Sequence, residues 1–155
     1  MNIFAPISSL MTGHKQLVTI NPEDSLMHVK EIFESHHFHH IPVVRFHEIV
    51  GIISRSDFDH YLGGVNFHQS DRLLRENHLN REKAESIMTT RMGKVESTDR
   101  INVALEIFNL NRFHALPVVD NGELVGIITT YDILKALSAE LPKDPTSVYD
   151  KQDTL

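Results

Sequence analysis

The stretch Pro42-Val43-Val44-Arg45-Phe46-His47-Glu48-Ile49-Val50-Gly51-Ile52-Ile53-Ser54-Arg55-Ser56-Asp57 returns 75 positions later as Pro117-Val118-Val119-Asp120-Asn121-Gly122-Glu123-Leu124-Val125-Gly126-Ile127-Ile128-Thr129-Thr130-Tyr131-Asp132. In each copy two β-branched runs flank a short polar separator, the pattern of a β-hairpin. The first copy gives strands over Ile41–Val44 and Ile49–Ile53 with Arg45-Phe46-His47-Glu48 between them. The second separator contains Asn121-Gly122, the strongest short hairpin signal, because both residues tolerate the positive φ that the tight turn needs.

The match extends outward from the hairpin. Ile32-Phe33 recurs as Ile107-Phe108 and Phe38-His39 as Phe113-His114 at the same spacing, while Ser9-Leu10-Met11-Thr12 recurs as Ser86-Ile87-Met88-Thr89 at a spacing of 77. The loop after Thr12 is therefore two residues longer than the one after Thr89. A fixed offset over this length marks an internal duplication of one supersecondary unit. Each unit begins with a short strand, Leu17–Ile20 or Lys94–Glu96, followed by the polar clusters Pro22-Glu23-Asp24-Ser25 and Ser97-Thr98-Asp99 that start helices. Leu26, Val29, Ile32 and Phe33 share one helical face, as do Ile101, Ala104, Ile107 and Phe108. A second helix starts near Asp57 or Asp132, and the later one runs through Ile133, Leu134, Ala136 and Leu137 until Pro142 stops it. The expected class is α/β (α+β), two tandem β-α-β-β-α repeats over residues 7–62 and 84–141. A partly helical connector, 63–83, carries Gly63-Gly64 and Leu73, Leu74 and Leu79, and residues 142–155 read as a mobile tail.

The 155 residues are 41% hydrophobic and 23% charged, which is globular rather than disordered. Fifteen Lys+Arg against 21 Asp+Glu leave a net charge of −6, which gives no general attraction to nucleic acid or anionic membranes. With no Cys there is no disulfide, thiolate nucleophile or Cys-based metal site. The apolar segment Asn2–Leu10 lacks a basic leader, contains Pro6 and is too short for a signal peptide or membrane span, so a cytoplasmic location is expected. There is no Gly-x-Ser-x-Gly elbow, phosphate loop or Gly-x-Gly-x-x-Gly turn, and no enzymatic activity is expected. Met11 and Met88 occupy matching positions and read as core fillers.

Ile41-Pro42-Val43-Val44 with Gly51-Ile52-Ile53-Ser54-Arg55-Ser56-Asp57, and Leu116-Pro117-Val118-Val119-Asp120 with Gly126-Ile127-Ile128-Thr129-Thr130-Tyr131-Asp132, resemble the CBS-domain pair, or Bateman module. The resemblance covers nearly the whole chain. It implies two repeats packed about a pseudo-twofold axis, with two related clefts for an adenosine derivative: AMP, ADP, ATP or S-adenosylmethionine. It also implies a non-catalytic sensor that requires no cofactor, often pairs as a homodimer and signals to a separate effector protein.

The chemistry of the residues fits such a ligand. A carboxylate can accept hydrogen bonds from both ribose hydroxyls, which makes Asp57 and Asp132 the candidates. Ser54 and Thr129 set a hydroxyl at a strand end beside a helix N-terminus that favours an anion. By resemblance, Phe38, His39 and His40, or Phe113, His114 and Ala115, border the base or phosphates. Ile52 and Ile127 give apolar contact, and Thr12 and Thr89 are further candidates. His40 against Ala115 and Arg55 against Thr130 make the clefts unequal, with the Asp57 side more welcoming to phosphate. An Asp in the first turn of a helix is also an ordinary cap, so both roles stay open. His36, His37, His39, His40 and His47 cluster in sequence without a metal-binding spacing, and no metal site is expected. Two function classes remain: an adenosine-ligand sensor, or a ligand-free dimerisation and docking scaffold.

Overall fold

The computed structural model describes residues 1–65, 71–111 and 113–140, with only the backbone of Asn111. Part of the expected connector and the expected tail over 142–155 lie outside the described residues. In chain order the elements are β1 (Thr12–Gly13), α1 (Leu26–Ser35), β2 (His40–Arg45), β3 (Glu48–Ser54), α2 (Arg55–Gly64), α3 (Arg72–Arg81), α4 (Ile101–Asn111), β4 (Ala115–Asp120), β5 (Glu123–Thr129) and α5 (Thr130–Glu140). Every strand of the first hairpin maps onto the second at the 75-residue offset. Even the irregularity repeats: the register shifts between Val43 and Val44 and again between Val118 and Val119, a bulge that bends both hairpins alike.

The helices start where their caps dictate. The Ser25 side chain accepts from the His28 N–H at 3.2 Å and opens α1, whose buried stripe is Leu26, Val29, Ile32 and Phe33. α2 begins at Arg55 rather than at Asp57, because Ser54 is its cap and Asp57 closes a capping box three residues on. The helix also takes in Gly63 and Gly64, which the sequence assigned to the connector. The connector helix is α3, whose Leu79 is buried in the first core.

The first hairpin corrects its expected turn. Arg45 pairs with Glu48, so the separator is two residues long rather than four, with Phe46 at φ 50° and His47 at φ 69°. The second hairpin makes the same turn with Asn121 at φ 51° and Gly122 at φ 86°.

The expected first strand of each unit is also corrected. Leu17–Ile20 reduces to one parallel bridge, in which Ile20 donates to the Pro42 carbonyl at 3.1 Å and accepts from Val44 at 2.8 Å. Lys94–Glu96 likewise reduces to Val95 between Pro117 and Val119. The chain cannot continue along the sheet because the next residue already turns into the helix. Asn21 N–H donates to Asp24 Oδ2 and Glu96 N–H to Asp99 Oδ2, both at 2.8 Å.

The leaders cross between repeats. The 3-10 turn Ile7–Ser9 opens repeat 1, yet Ile7 lies fully buried in the second core with Val95, Ile101, Leu116 and Ile128. The equivalent turn Ala84–Ser86 places Ala84 in the first core with Leu26, Ile41 and Ile53. Backbone bonds repeat the exchange: Ile7 donates to Asp99 at 2.7 Å, and Ala84 to Asp24 at 2.8 Å. β1 then pairs with β5, while Thr89 bridges Ile52 in β3. Met11 and Met88 fill space as expected, each against a glycine of the other unit. A Cβ on Gly51 would lie 2.5 Å from Met88 Sδ, and one on Gly126 would lie 2.7 Å from the Thr12 carbonyl oxygen. The backbone contact demands glycine at 126, while a side chain at 51 would require Met88 to move.

Candidate functional site

The strand-to-helix junctions assemble two related groups of side chains. His40 pairs with Ser54 and Ala115 with Thr129 across their hairpins. The first N–H of each following helix returns to the residue before the hairpin: Arg55 donates to the His39 carbonyl at 2.8 Å and Thr130 to that of His114 at 3.1 Å. The leader crossing determines which threonine joins which group. Thr89 lies against Ile52, on the strand that ends at Ser54 and Asp57, whereas Thr12 lies against Ile127, on the strand that ends at Thr129 and Asp132. Each group thus draws residues from both repeats. The sequence could not pair them, since an offset records equivalence and says nothing of exchange.

Both aspartates are caps. Asp57 Oδ2 accepts from the Ser54 hydroxyl at 2.6 Å and its backbone N–H at 3.4 Å, and the Asp57 N–H donates back to Ser54 Oγ at 3.0 Å. Asp132 Oδ2 accepts from the Thr129 hydroxyl at 2.6 Å and N–H at 2.8 Å, and its own N–H donates to Thr129 Oγ1 at 3.2 Å. Only Oδ2 is used in either case; Oδ1 of each carboxylate accepts no hydrogen bond from the described residues. Capping therefore fixes the carboxylate while leaving one oxygen to meet hydroxyl donors. Asp57 is exposed and Asp132 half-buried, and Thr89 and Thr12 differ in the same sense.

Two residues expected to bring positive charge do not present it. The Arg55 guanidinium donates to the carbonyls of Phe33, His36 and Phe38 and lies 4.8 Å over the Phe33 ring. It closes the C-terminal end of α1, where the helix dipole favours a cation, and phosphate contact would require it to leave those carbonyls. His40 is held down to about 4, chiefly by burial and then by the charges of neighbouring His39 and His114, with Asp57 acting the other way. It is neutral at pH 7.

The His40 shift has a consequence for stability. Because the folded chain resists protonation of His40, the unfolded chain binds the proton first, and stability falls as pH drops from about 6.5 towards about 4. Between pH 7.5 and 4.5, urea unfolding is expected to show a loss of stability that is smaller by on the order of 2 kcal/mol in His40→Ala, the residue of the sister repeat. An equal loss in both proteins would refute it.

Among the described residues no three His, Asp or Glu side chains are grouped to hold a metal ion. No described helix is long and apolar enough to cross a membrane.

The CBS-domain family model matches residues 7–64 and 84–139. The chain belongs to the CBS-domain family. Its CBS repeats are 29% identical over 133 residues to the uncharacterized protein MJ1232 of Methanocaldococcus jannaschii, covering 85% of this chain and 40% of that protein. The chain thus spans less than half the length of that curated relative. The CBS domain pair of MJ0100, solved with 5′-methylthioadenosine and S-adenosyl-L-methionine, superimposes with a TM-score of 0.72 at 21% identity, covering 89% of this chain and 99% of that one. CBSX2 in complex with AMP gives a TM-score of 0.71 at 21% identity, over 87% and 97% of the two chains. At these identities the structural likeness establishes the fold, tandem CBS repeats, and the ligands belong to those proteins.

Proposed function

We propose that the chain is a non-catalytic sensor whose two clefts, ending at Asp57 and Asp132, bind an adenosine derivative such as AMP, ADP, ATP or S-adenosylmethionine. The observation that carries this is the paired carboxylate: each Asp is fixed through Oδ2 by its capping box and keeps Oδ1 for a ribose diol. Ser54 and Thr129 at the helix starts, His39 and His114 at the rim, and Ile52 and Ile127 against the base complete the two sites, with Thr89 serving the first and Thr12 the second. His40 contributes a neutral imidazole, and Arg55 positions the rim by holding the end of α1. The adenosine compounds bound by the MJ0100 pair and by CBSX2 support the ligand class.

The sensor acts in the cytoplasm as a homodimer that reports to a separate effector protein. Tyr131, Leu134 and Leu137 on α5 and Leu110 on α4 are 68%, 60%, 44% and 77% exposed, an apolar surface that a second copy would cover. Their equivalents in repeat 1 are Ser56, Asp59, Leu62 and Ser35, so the pairing would run through repeat 2. Ligand would act by binding one packing of the repeats better than another.

A thermal-shift titration with the four compounds tests the ligand class. A ligand at a hundredfold excess over Kd adds about 2.7 kcal/mol, which raises Tm by roughly 5–10 °C for a chain of this size. No shift with any of them at millimolar concentration would leave the capping role alone, and with it the scaffold function.

A further inference from the structure

We propose that the seam at the first hairpin tip, at the opposite end of the strands from Ser54 and Asp57, holds a second ligand site for a neutral, flat nitrogen heterocycle of nucleobase type. A cavity of about 370 Å³ opens there between the repeats, walled by His14, Thr19, Asn21, Phe46 and His47 of the first and Leu124 of the second. Pockets for small ligands begin at about this size. The two repeats are tied together at its edge, where Leu124 N–H donates to the His47 carbonyl at 3.0 Å.

The turn itself points to a function other than folding. The sister turn holds its two positive-φ positions with Asn121 and Gly122, the residues suited to them. The first turn adopts the same geometry with Phe46 and His47, a conformation that costs bulky side chains free energy. Packing does not repay this, since Phe46 is 90% exposed. A strained aromatic pair, facing a cavity and replaced by Asn-Gly in the same chain's other repeat, is the arrangement of a ligand contact.

The lining specifies the chemistry. The Phe46 ring offers a face for stacking, which binds any nucleobase. The Asn21 amide, with one donor and one acceptor edge, matches the paired donor and acceptor of a base edge, and the Thr19 hydroxyl and two imidazoles add further partners. None of these four polar side chains hydrogen-bonds to another described residue. None of the residues lining the cavity is Lys, Arg, Asp or Glu, which favours an uncharged base or nucleoside over a nucleotide. At the 75-residue offset the second repeat has Lys94, Glu96, Asn121 and Gly122 in place of Thr19, Asn21, Phe46 and His47, and so lacks the ring and brings in a Lys and a Glu.

The test is an NMR titration with adenine, which has no ribose for the aspartates, following the imidazole signals of His14 and His47. Both signals should move saturably, and equally well in Asp57→Asn/Asp132→Asn, which separates this site from the clefts above. Grafting the sister turn, Phe46→Asn/His47→Gly, should weaken the response at His14 at least tenfold while raising Tm by roughly 3–8 °C, so a lost response cannot reflect unfolding. Phe46→Leu, which keeps the strained turn but removes the ring, should weaken binding similarly. Unmoved imidazole signals up to the solubility limit of adenine, or undiminished binding by the grafted protein, would overturn the proposal.

Discussion

Replacing Ile7 by Ala is expected to destabilise the whole chain by about 2–5 kcal/mol, although the residue stands at the very start of repeat 1. Ile7 is fully buried and packs among Val95, Ile101, Leu116 and Ile128, all of repeat 2. Truncation removes three buried carbons and leaves a cavity that the surrounding close-packed side chains cannot readily fill. The exchange is reciprocal, because Ala84, the first residue of repeat 2, sits in the first core together with Leu79 of the connector helix α3. Neither core is complete without chain from the other side of the connector, so the two repeats should melt together. Urea unfolding followed by amide exchange in both sheets checks this. A single transition shifted as a whole is expected in Ile7→Ala, with repeat 2 amides losing protection as much as those of repeat 1. Two separate transitions, or an effect confined to residues near the N-terminus, would show that the leader is peripheral.

The second large effect concerns Asp57 and Asp132. Substituting Asn leaves a carbonyl oxygen to accept the capping bonds now made by Oδ2, so the helix starts should survive at a cost below about 1 kcal/mol. The remaining position becomes an NH₂ donor facing ribose hydroxyls that need an acceptor. Losing charge-assisted hydrogen bonds of about 1.5–3 kcal/mol weakens binding roughly 10- to 150-fold in the affected cleft. The two substitutions should not act equally. Asp132 and Thr12 are half-buried where Asp57 and Thr89 are exposed, and His40 stands opposite Ser54 where Ala115 stands opposite Thr129. The expected phosphate preference of the Asp57 cleft loses its basis in charge, because Arg55 is held by carbonyls and His40 is neutral; enclosure and shape now distinguish the clefts.

Much of this fold is legible from residue pattern because it is local. The hairpins follow from alternating β-branched runs, the helix faces from the spacing of Leu26, Val29, Ile32 and Phe33, and the repeat from a constant offset. What escapes the pattern is non-local. Leu17–Ile20 reads as a strand by propensity, but the Asn21–Asp24 turn takes the chain off the sheet after a single bridge. The Ile7 and Thr12 leader is apolar enough for a core, yet nothing in its sequence says which core, and the crossing to β5 depends on the packing of both units. Arg55 shows the same limit at the site. Its position marks the cleft, while its guanidinium is drawn to carbonyls that become neighbours only once α1 packs beside α2. Asp57 and Asp132 were legible as residues, and the division of labour between their two oxygens required the capping geometry.

The decisive measurement is isothermal titration calorimetry of AMP, ADP, ATP and S-adenosylmethionine against the natural protein, Asp57→Asn and Asp132→Asn. At least one compound should bind, with unequal affinities at the two clefts, and each substitution should remove the heat of one cleft while leaving the other. No binding by any compound at millimolar concentration, or binding indifferent to both substitutions, would contradict a sensor built on these two carboxylates.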